Sequence, residues 1–473
     1  MQPATHLVQS TEPVEVSVAA ITGRPVCQPR TLRQNLFFEC AIQCPPCADF
    51  LSTIPVSNEL ILLYIADSRN FYYISDEDYR NEKMIMGTSS KRLYYLDSLK
   101  YIFCLMIFWA HLAGVFWTLC DPRPELRREL QLLFTYPLSV LVDSSLALYG
   151  FCILSGYLAS FKRTTARNLL PQLLARYLRF VVPFFFINLV AFILYYTVGY
   201  PTAEASALLH NAWLATYYTH APTIPELLRA TFTLDGDLNG PLWMMKYILL
   251  GTCIIYVYNA VERKLPLRLF QFGCLVVFVY SFFHLPEPNF FHVHLVLMGI
   301  ILRKLDDALK AWLTQHEKGG HPLLRFFFLL LALLPIALDA GGLQRVLYPF
   351  FRAHCPAIAP VFIWNAYWVM LFSFSLIVGV MNCPPLQRAL EWAPLKRVAP
   401  MNFAVYLVHF PLIASLSLHL YLRLVNRISY SKLFVILTVV SFAALFLTSW
   451  LYEQSIGKLQ DKIIKKITAH LAK

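Results

Sequence analysis

Two residues in the stretch Lys100–His111, KYIFCLMIFWAH, could do chemistry where their neighbours only pack. Ten mostly apolar residues separate the cation from the imidazole, so on an α-helix the two share a face about 16 Å apart along the axis. A neutral imidazole accepts a proton, which is what a general base must do. The plainer reading of the same histidine is a hydrogen-bonded packing residue between helices. Asp97, one turn before Lys100, is placed to pair with it.

A second candidate lies in LLARYLRFVVPFF, where Arg176 and Arg179 are three residues apart and share a helix face at the start of an apolar run. Paired guanidinium groups grip phosphates bidentately, although ordinary anchoring at a membrane edge also accounts for them. NGPLWMMKY, residues 239–247, carries Trp243 at an interface and Lys246 inside the apolar run that follows, where a cation needs a partner. FAVYLVHFPL, residues 403–412, holds a further intramembrane histidine, His409. Pro411, two residues on, is expected to kink that helix and free a carbonyl. In FCILSGYL, residues 151–158, Ser155 and Gly156 let helices approach closely.

The elements that must position these groups are apolar helices. Hydrophobic residues make up 58% of the 473 and charged residues 14%, about half the charged fraction of a soluble domain. Ten candidate spans fall at 93–117, 137–160, 180–198, 242–260, 269–285, 287–302, 324–341, 358–381, 402–421 and 433–452. The composition therefore predicts an all-α fold, a polytopic transmembrane bundle of about ten spans, integral and multi-pass in membrane lipid. The net charge of +12 does not indicate nucleic acid, because the cations gather in alternate loops, at 161–179, 261–268, 303–325 and 382–401, and at both ends. That bias puts both termini in the cytoplasm. The longest outward loop, 199–240, has one arginine against Glu204, Glu226, Asp235 and Asp237.

Three divisions follow: residues 1–91 as a cytoplasmic extension without a signal peptide, 92–453 as the transmembrane domain, and 454–473 as a basic tail. In the tail Ile456, Leu459, Ile463, Ile464 and Ile467 recur at helical spacing among lysines, as in a surface-lying amphipathic helix. Cys40, Cys44 and Cys47, with Cys27, have a spacing that iron–sulfur or zinc sites use. Pro45-Pro46 stands between two of them and no supporting context surrounds them, so no metal is assigned. Cys120 and Cys355, both on the outward side, are a candidate disulfide pair.

Taken in order, Lys100-x10-His111, Ser155-Gly156-Tyr157-Leu158, Arg176-x-x-Arg179, Pro241-Leu242-Trp243 and Tyr406-Leu407-Val408-His409-Phe410-Pro411 resemble the acyltransferase-3 family of membrane O-acyltransferases over about residues 92–457. Tyr95–Lys100 looks like that family's opening block, and Tyr452-Glu453 falls where it tends to place a glutamate. The resemblance implies transfer of an acyl group, usually acetyl, from cytoplasmic acyl-CoA to a hydroxyl of a carbohydrate or lipid-type acceptor, with no permanently bound cofactor. It implies His111 as the catalytic base and Lys100, Arg176 and Arg179 as the donor-binding cations. Asp97, Ser155, Trp243, Lys246 and His409 are left for acceptor or structural roles. The chain departs from the family's pattern at Tyr149-Gly150, where an acid often stands, at Ser98 for a glycine, and at Lys246 for a glutamate. The alternative from another class is a multi-pass transporter or flippase of an anionic or lipid-linked substrate, with His111 relaying protons. A third is a scaffold that keeps the fold without activity.

Overall fold

Among the described residues every regular element is helical. The structure, a computed structural model, describes residues 93–116, 140–141, 143–262, 267–283, 288–316, 322–338, 353–354 and 365–471. The N-terminal extension, its four cysteines, Cys120 and Cys355 lie outside these. The helices are α1 (Tyr94–Phe116), α2 (Ser144–Ser160), α3 (Leu169–Thr197), α4 (Thr202–Leu209), α5 (Ile224–Thr233), α6 (Met245–Glu262), α7 (Leu267–Phe283) and α8 (Phe291–His316). They continue with α9 (Pro322–Ala337), α10 (Asn365–Met381), α11 (Pro384–Leu390), α12 (Ala393–Val398), α13 (Asn402–Leu412), α14 (Leu418–Leu424), α15 (Tyr430–Tyr452) and α16 (Lys458–Leu471).

A helix occupies part of each of the ten predicted stretches, but the helices differ in reach. Five helical rods among the described residues are long and apolar enough to cross a membrane: Tyr94–Phe116, Leu169–Thr197, Gly240–Glu262, Ala393–Leu424 and Lys432–Ile464. A sixth forms if Trp368–Met381 and Pro384–Leu390 are joined across their 93° bend. The 17 residues of α2 rise about 26 Å, short of a hydrocarbon core of about 30 Å. The third apolar run also starts earlier than the sequence suggests. Its helix begins at Leu169, so Arg176 and Arg179 stand two turns or more inside α3 rather than at its mouth.

α2 is the hub, packed on α1, α6, α8 and α10. Its contact with α8 is backbone on backbone, because Gly156 faces Val296 and Gly299 faces Tyr157. The rod that contains α13 is the central post, with 78% of its apolar window buried inside the protein against 28% for the last rod. Of the kink and freed carbonyl expected at Pro411, the freed carbonyl is seen there. Pro411 cannot donate to the carbonyl four residues back, and that freed carbonyl, of Leu407, accepts from the Asn239 side chain at 2.9 Å. One π-helical turn, Ile413–Ser417, follows before α14 resumes.

Between α3 and α6 the chain leaves the rods and folds as α4, α5 and short turns. α5 starts at a capping box: the Glu226 backbone N–H donates to Thr223 Oγ1, and the Thr223 N–H donates back to the Glu226 carboxylate at 2.7 Å. Those N–H and hydroxyl donors from Thr223, with His220 3.1 Å away, hold the Glu226 carboxyl down to about 2 from its ordinary 4.5. A depressed carboxyl stabilises the fold above its unfolded value and loses that effect as pH falls through its folded one. Thr223→Ala is expected to cost about 1 kcal/mol. Protection factors of the α5 amides, taken against the intrinsic rate at each pH, are expected to fall in this variant at pH 7, and in the parent chain only between about pH 4.5 and pH 2.

At the far end, α16 packs on α3. Ile464 is buried there, and the Gln460 side chain donates to the Tyr452 hydroxyl at 2.6 Å, while Leu459 and Ile467 stay exposed.

Candidate active site

His111 sits on the fifth turn of α1 with its Nδ1 2.8 Å from the carbonyl oxygen of Ile107, one turn back. A carbonyl only accepts, so Nδ1 carries the proton and Nε2 presents its lone pair. His409 repeats the arrangement on α13: its Nδ1 is 2.6 Å from the Tyr406 carbonyl, and its Nε2 is buried without a hydrogen-bond partner among the described residues. The two rings face each other with centroids 5.2 Å apart. Two imidazoles from opposite ends of the chain thus meet, each held through one nitrogen by backbone and each leaving the other nitrogen as an acceptor.

The surroundings lock this pair. Tyr406 donates from its hydroxyl to the Pro241 carbonyl, and Asn239 donates to the Leu407 carbonyl, so the 3₁₀ turn Gly240–Met244 is tied to α13 in the turn just before the histidine. Asn211, also buried, takes the last carbonyls of α1, donating to Gly114 at 3.0 Å and Val115 at 3.1 Å. These are among the four carbonyls a helix end leaves unpaired. Asn211 thereby pins the 199–240 segment over the end of α1 and brings Trp213 against His111, with centroids 5.9 Å apart. Trp213 and Tyr217 then pack on Phe410, at 5.8 Å and 4.7 Å. Together these rings wall the imidazole pair with half-buried aromatic faces.

The other residues singled out in the sequence scatter. Lys100 meets Asp97 at 3.7 Å, as the one-turn spacing requires, near the opposite end of α1. Arg176 and Arg179 diverge. Arg176 is half-buried, donating to Thr252 Oγ1 at 3.3 Å and lying 4.9 Å from the centre of the Phe180 ring, and its Nε–H has no partner among the described residues. Arg179 is exposed. Ser155 donates to the Phe151 carbonyl of its own helix at 2.8 Å, while its neighbour Gly156 makes the close approach to α8. Lys246 turns outward, exposed, with Nζ 5.1 Å from the centre of the Tyr247 ring, and does not join the imidazole pair.

Trp243 packs edge-on against His292 at 4.9 Å. His292, within the predicted span 287–302, is a buried imidazole that begins α8 with Nδ1 3.0 Å from the Asn289 carbonyl. Tyr149 fills the place of the missing acid and sits 5.9 Å from the same ring. No carboxylate is needed to orient His111, because a backbone carbonyl does it. Asn211, Trp213 and Asn239 also belong to the site and are not among the candidates drawn from sequence. Asn239 had a usable signal, an amide just before Gly-Pro and an apolar run. Asn211 had none.

Neither the comparison with curated proteins nor that with solved structures returned a match. A family model described as an acyltransferase domain matches residues 93–453, which takes in α1, both histidines and every rod up to the end of α15. With its facing imidazoles set among long apolar helices, the chain belongs to the acyltransferase-3 family, as a membrane acyltransferase.

Proposed function

We propose that the protein is an O-acyltransferase that moves an acyl group, acetyl in the first instance, from cytoplasmic acyl-CoA to a hydroxyl of a carbohydrate or lipid-type acceptor. In this reading ten helices form a multi-pass bundle with both termini in the cytoplasm, as the loop charges favour. The observation that carries it is His111, whose Nδ1 is committed to the Ile107 carbonyl at 2.8 Å and whose Nε2 is therefore left to accept a proton. His111 Nε2 takes the proton of the acceptor hydroxyl as its oxygen bonds to the thioester carbonyl carbon. The tetrahedral intermediate collapses by breaking the carbon–sulfur bond, and the departing thiolate takes the proton from the imidazolium, leaving ester and free CoA. His409, one ring away, accepts a hydrogen bond from the acceptor and positions it.

Lys100, Arg176 and Arg179 supply positive charge nearer the cytoplasmic end, about 16 Å from the imidazole along α1. The thin arm of the donor spans that depth and its phosphates never cross. The acceptor approaches from outside, on the side of the imidazole pair that Trp213 borders. Incubating purified protein with labelled acetyl-CoA tests the reading: an enzyme consumes it with acceptor present, whereas a carrier leaves it intact. Arg176→Lys keeps the charge but loses the fork, and its KM for acyl-CoA is expected to rise roughly tenfold. The exposed Arg179→Lys should change it by no more than about twofold.

A further inference from the structure

Away from the imidazole pair, charged side chains also converge past the end of α2. The exit of α2, the last turn of α6 and the middle of α8 enclose a cleft of about 230 Å³. Lys162, Arg163, Arg303 and Lys304 line it, against Glu262 and Asp307, a surplus of two positive charges. We propose that this cleft seats the phosphorylated nucleotide end of the acyl donor, the ribose bisphosphate, and that Arg176 meets only the inner part of the same molecule. The assignment rests on the acyl-CoA reading above.

The cleft is built rather than incidental. Arg303 lies flat on Phe161, its guanidinium carbon 3.6 Å from the ring centre, with Nε donating to Asp307 at 2.7 Å. A guanidinium fixed by stacking and by its Nε keeps its terminal N–H groups for a bidentate anion. Glu262 collects three donors, Lys304 at 2.8 Å, Tyr258 at 2.9 Å and Gln271 at 3.1 Å, so its charge is spent inside the wall. Asn259 donates to the carbonyls of Ser160 at 3.3 Å and Lys162 at 3.0 Å, closing the end of α2 and fixing the backbone that carries Lys162. Lys162 itself is exposed at the rim.

Size and position agree with one end of a long ligand. The volume is below the roughly 300–1,000 Å³ that encloses a whole drug-sized molecule. Thr252, which holds Arg176, lies seven residues before Asn259 on α6, so Arg176 is about 10 Å further into the bundle. On α2, Ser160 at the cleft is nine residues, about 14 Å, from Phe151, which stacks on Tyr406 at 6.3 Å. Tyr406 in turn adjoins His409. A donor anchored by its phosphates in the cleft thus has α2 and α6 as rails leading to the imidazoles.

The ligand chemistry is a phosphate ester, which a nucleotide or an anionic lipid headgroup could supply, and titration separates the two. The probe is adenosine 3′,5′-bisphosphate added to the full chain in nanodiscs of neutral lipid and followed calorimetrically. Binding by the parent chain and by His111→Ala, weakened about tenfold or more in Lys162→Gln and in Arg303→Lys, is the expected result. Affinity within about twofold of the parent in both variants overturns the cleft assignment and leaves the transferase reading intact if acyl-CoA is still consumed. Loss of the nucleotide signal when phosphatidylglycerol enters the nanodisc marks a lipid site and overturns it as well. Nucleotide bound at the cleft by a protein that never turns over acyl-CoA upholds the site and defeats the transferase reading.

Discussion

His111→Ala is expected to abolish acyl transfer while the protein stays in the membrane at its normal abundance. The side chain is only half-buried and makes one bond, within its own helix, so little packing is lost with it. What is lost is the one accessible imidazole nitrogen at the meeting point of α1, α13 and the Trp213 wall. Removing a positioned general base lowers turnover by about 10²–10⁴-fold. The measurement is labelled acyl product per unit of membrane protein, with abundance scored in the same preparation. His111→Gln should be nearly as inactive, because an amide fills the space without taking a proton. Retention of turnover within about threefold in either variant removes His111 from the chemistry and transfers the role to His409.

The second large effect is structural. A Cβ on Gly156 would lie 1.8 Å from the Val296 carbonyl oxygen and 2.7 Å from its carbonyl carbon. Both are backbone atoms of α8, so no rotamer change relieves the clash and the two helices must part. Parting breaks the contact around which α1, α6 and α10 are packed. Overpacking by a methyl group costs about 1–3 kcal/mol where side chains can adjust, and more where they cannot. Gly156→Ala is therefore expected to cut membrane abundance severely and to abolish activity with it. Gly299→Ala should do the same, since its Cβ would meet the Tyr157 nitrogen at 2.2 Å. Gly273→Ala, with open space around the new methyl, is the matching control and should leave abundance unchanged. Normal abundance and activity of Gly156→Ala would mean that α2 and α8 do not touch as described.

The contrast between these two residues shows what a chain discloses locally. Lys100 and His111 are legible because helical period alone puts them on one face, and Asp97 because its spacing is a single turn. Pro411 is legible for a covalent reason: a residue without an N–H must leave the Leu407 carbonyl free, although what fills the vacancy, Asn239, lies 168 residues earlier. Ser155-Gly156 announces a close helix crossing but not its partner, and Gly299 carries no such signature. Arg176 and Arg179 show the opposite failure. Spacing put them on one face, yet α3 begins about three turns before the apolar run, and the packing of α6 half-buries one of them while leaving the other in the open.

By itself the sequence determined the class of molecule, because long apolar runs can satisfy their backbone in lipid only as helices. It also determined which residues had chemistry to offer and roughly where along each helix they stand. Only the tertiary structure decided that His409 faces His111, that Asn211 pins a loop over α1, that His292 is buried against Trp243, and that two cations of α8 share a cleft with two that follow α2. Those pairings depend on how helices hundreds of residues apart rotate and cross. Helix period fixes the face of one rod, and contact with its neighbours fixes where that face points.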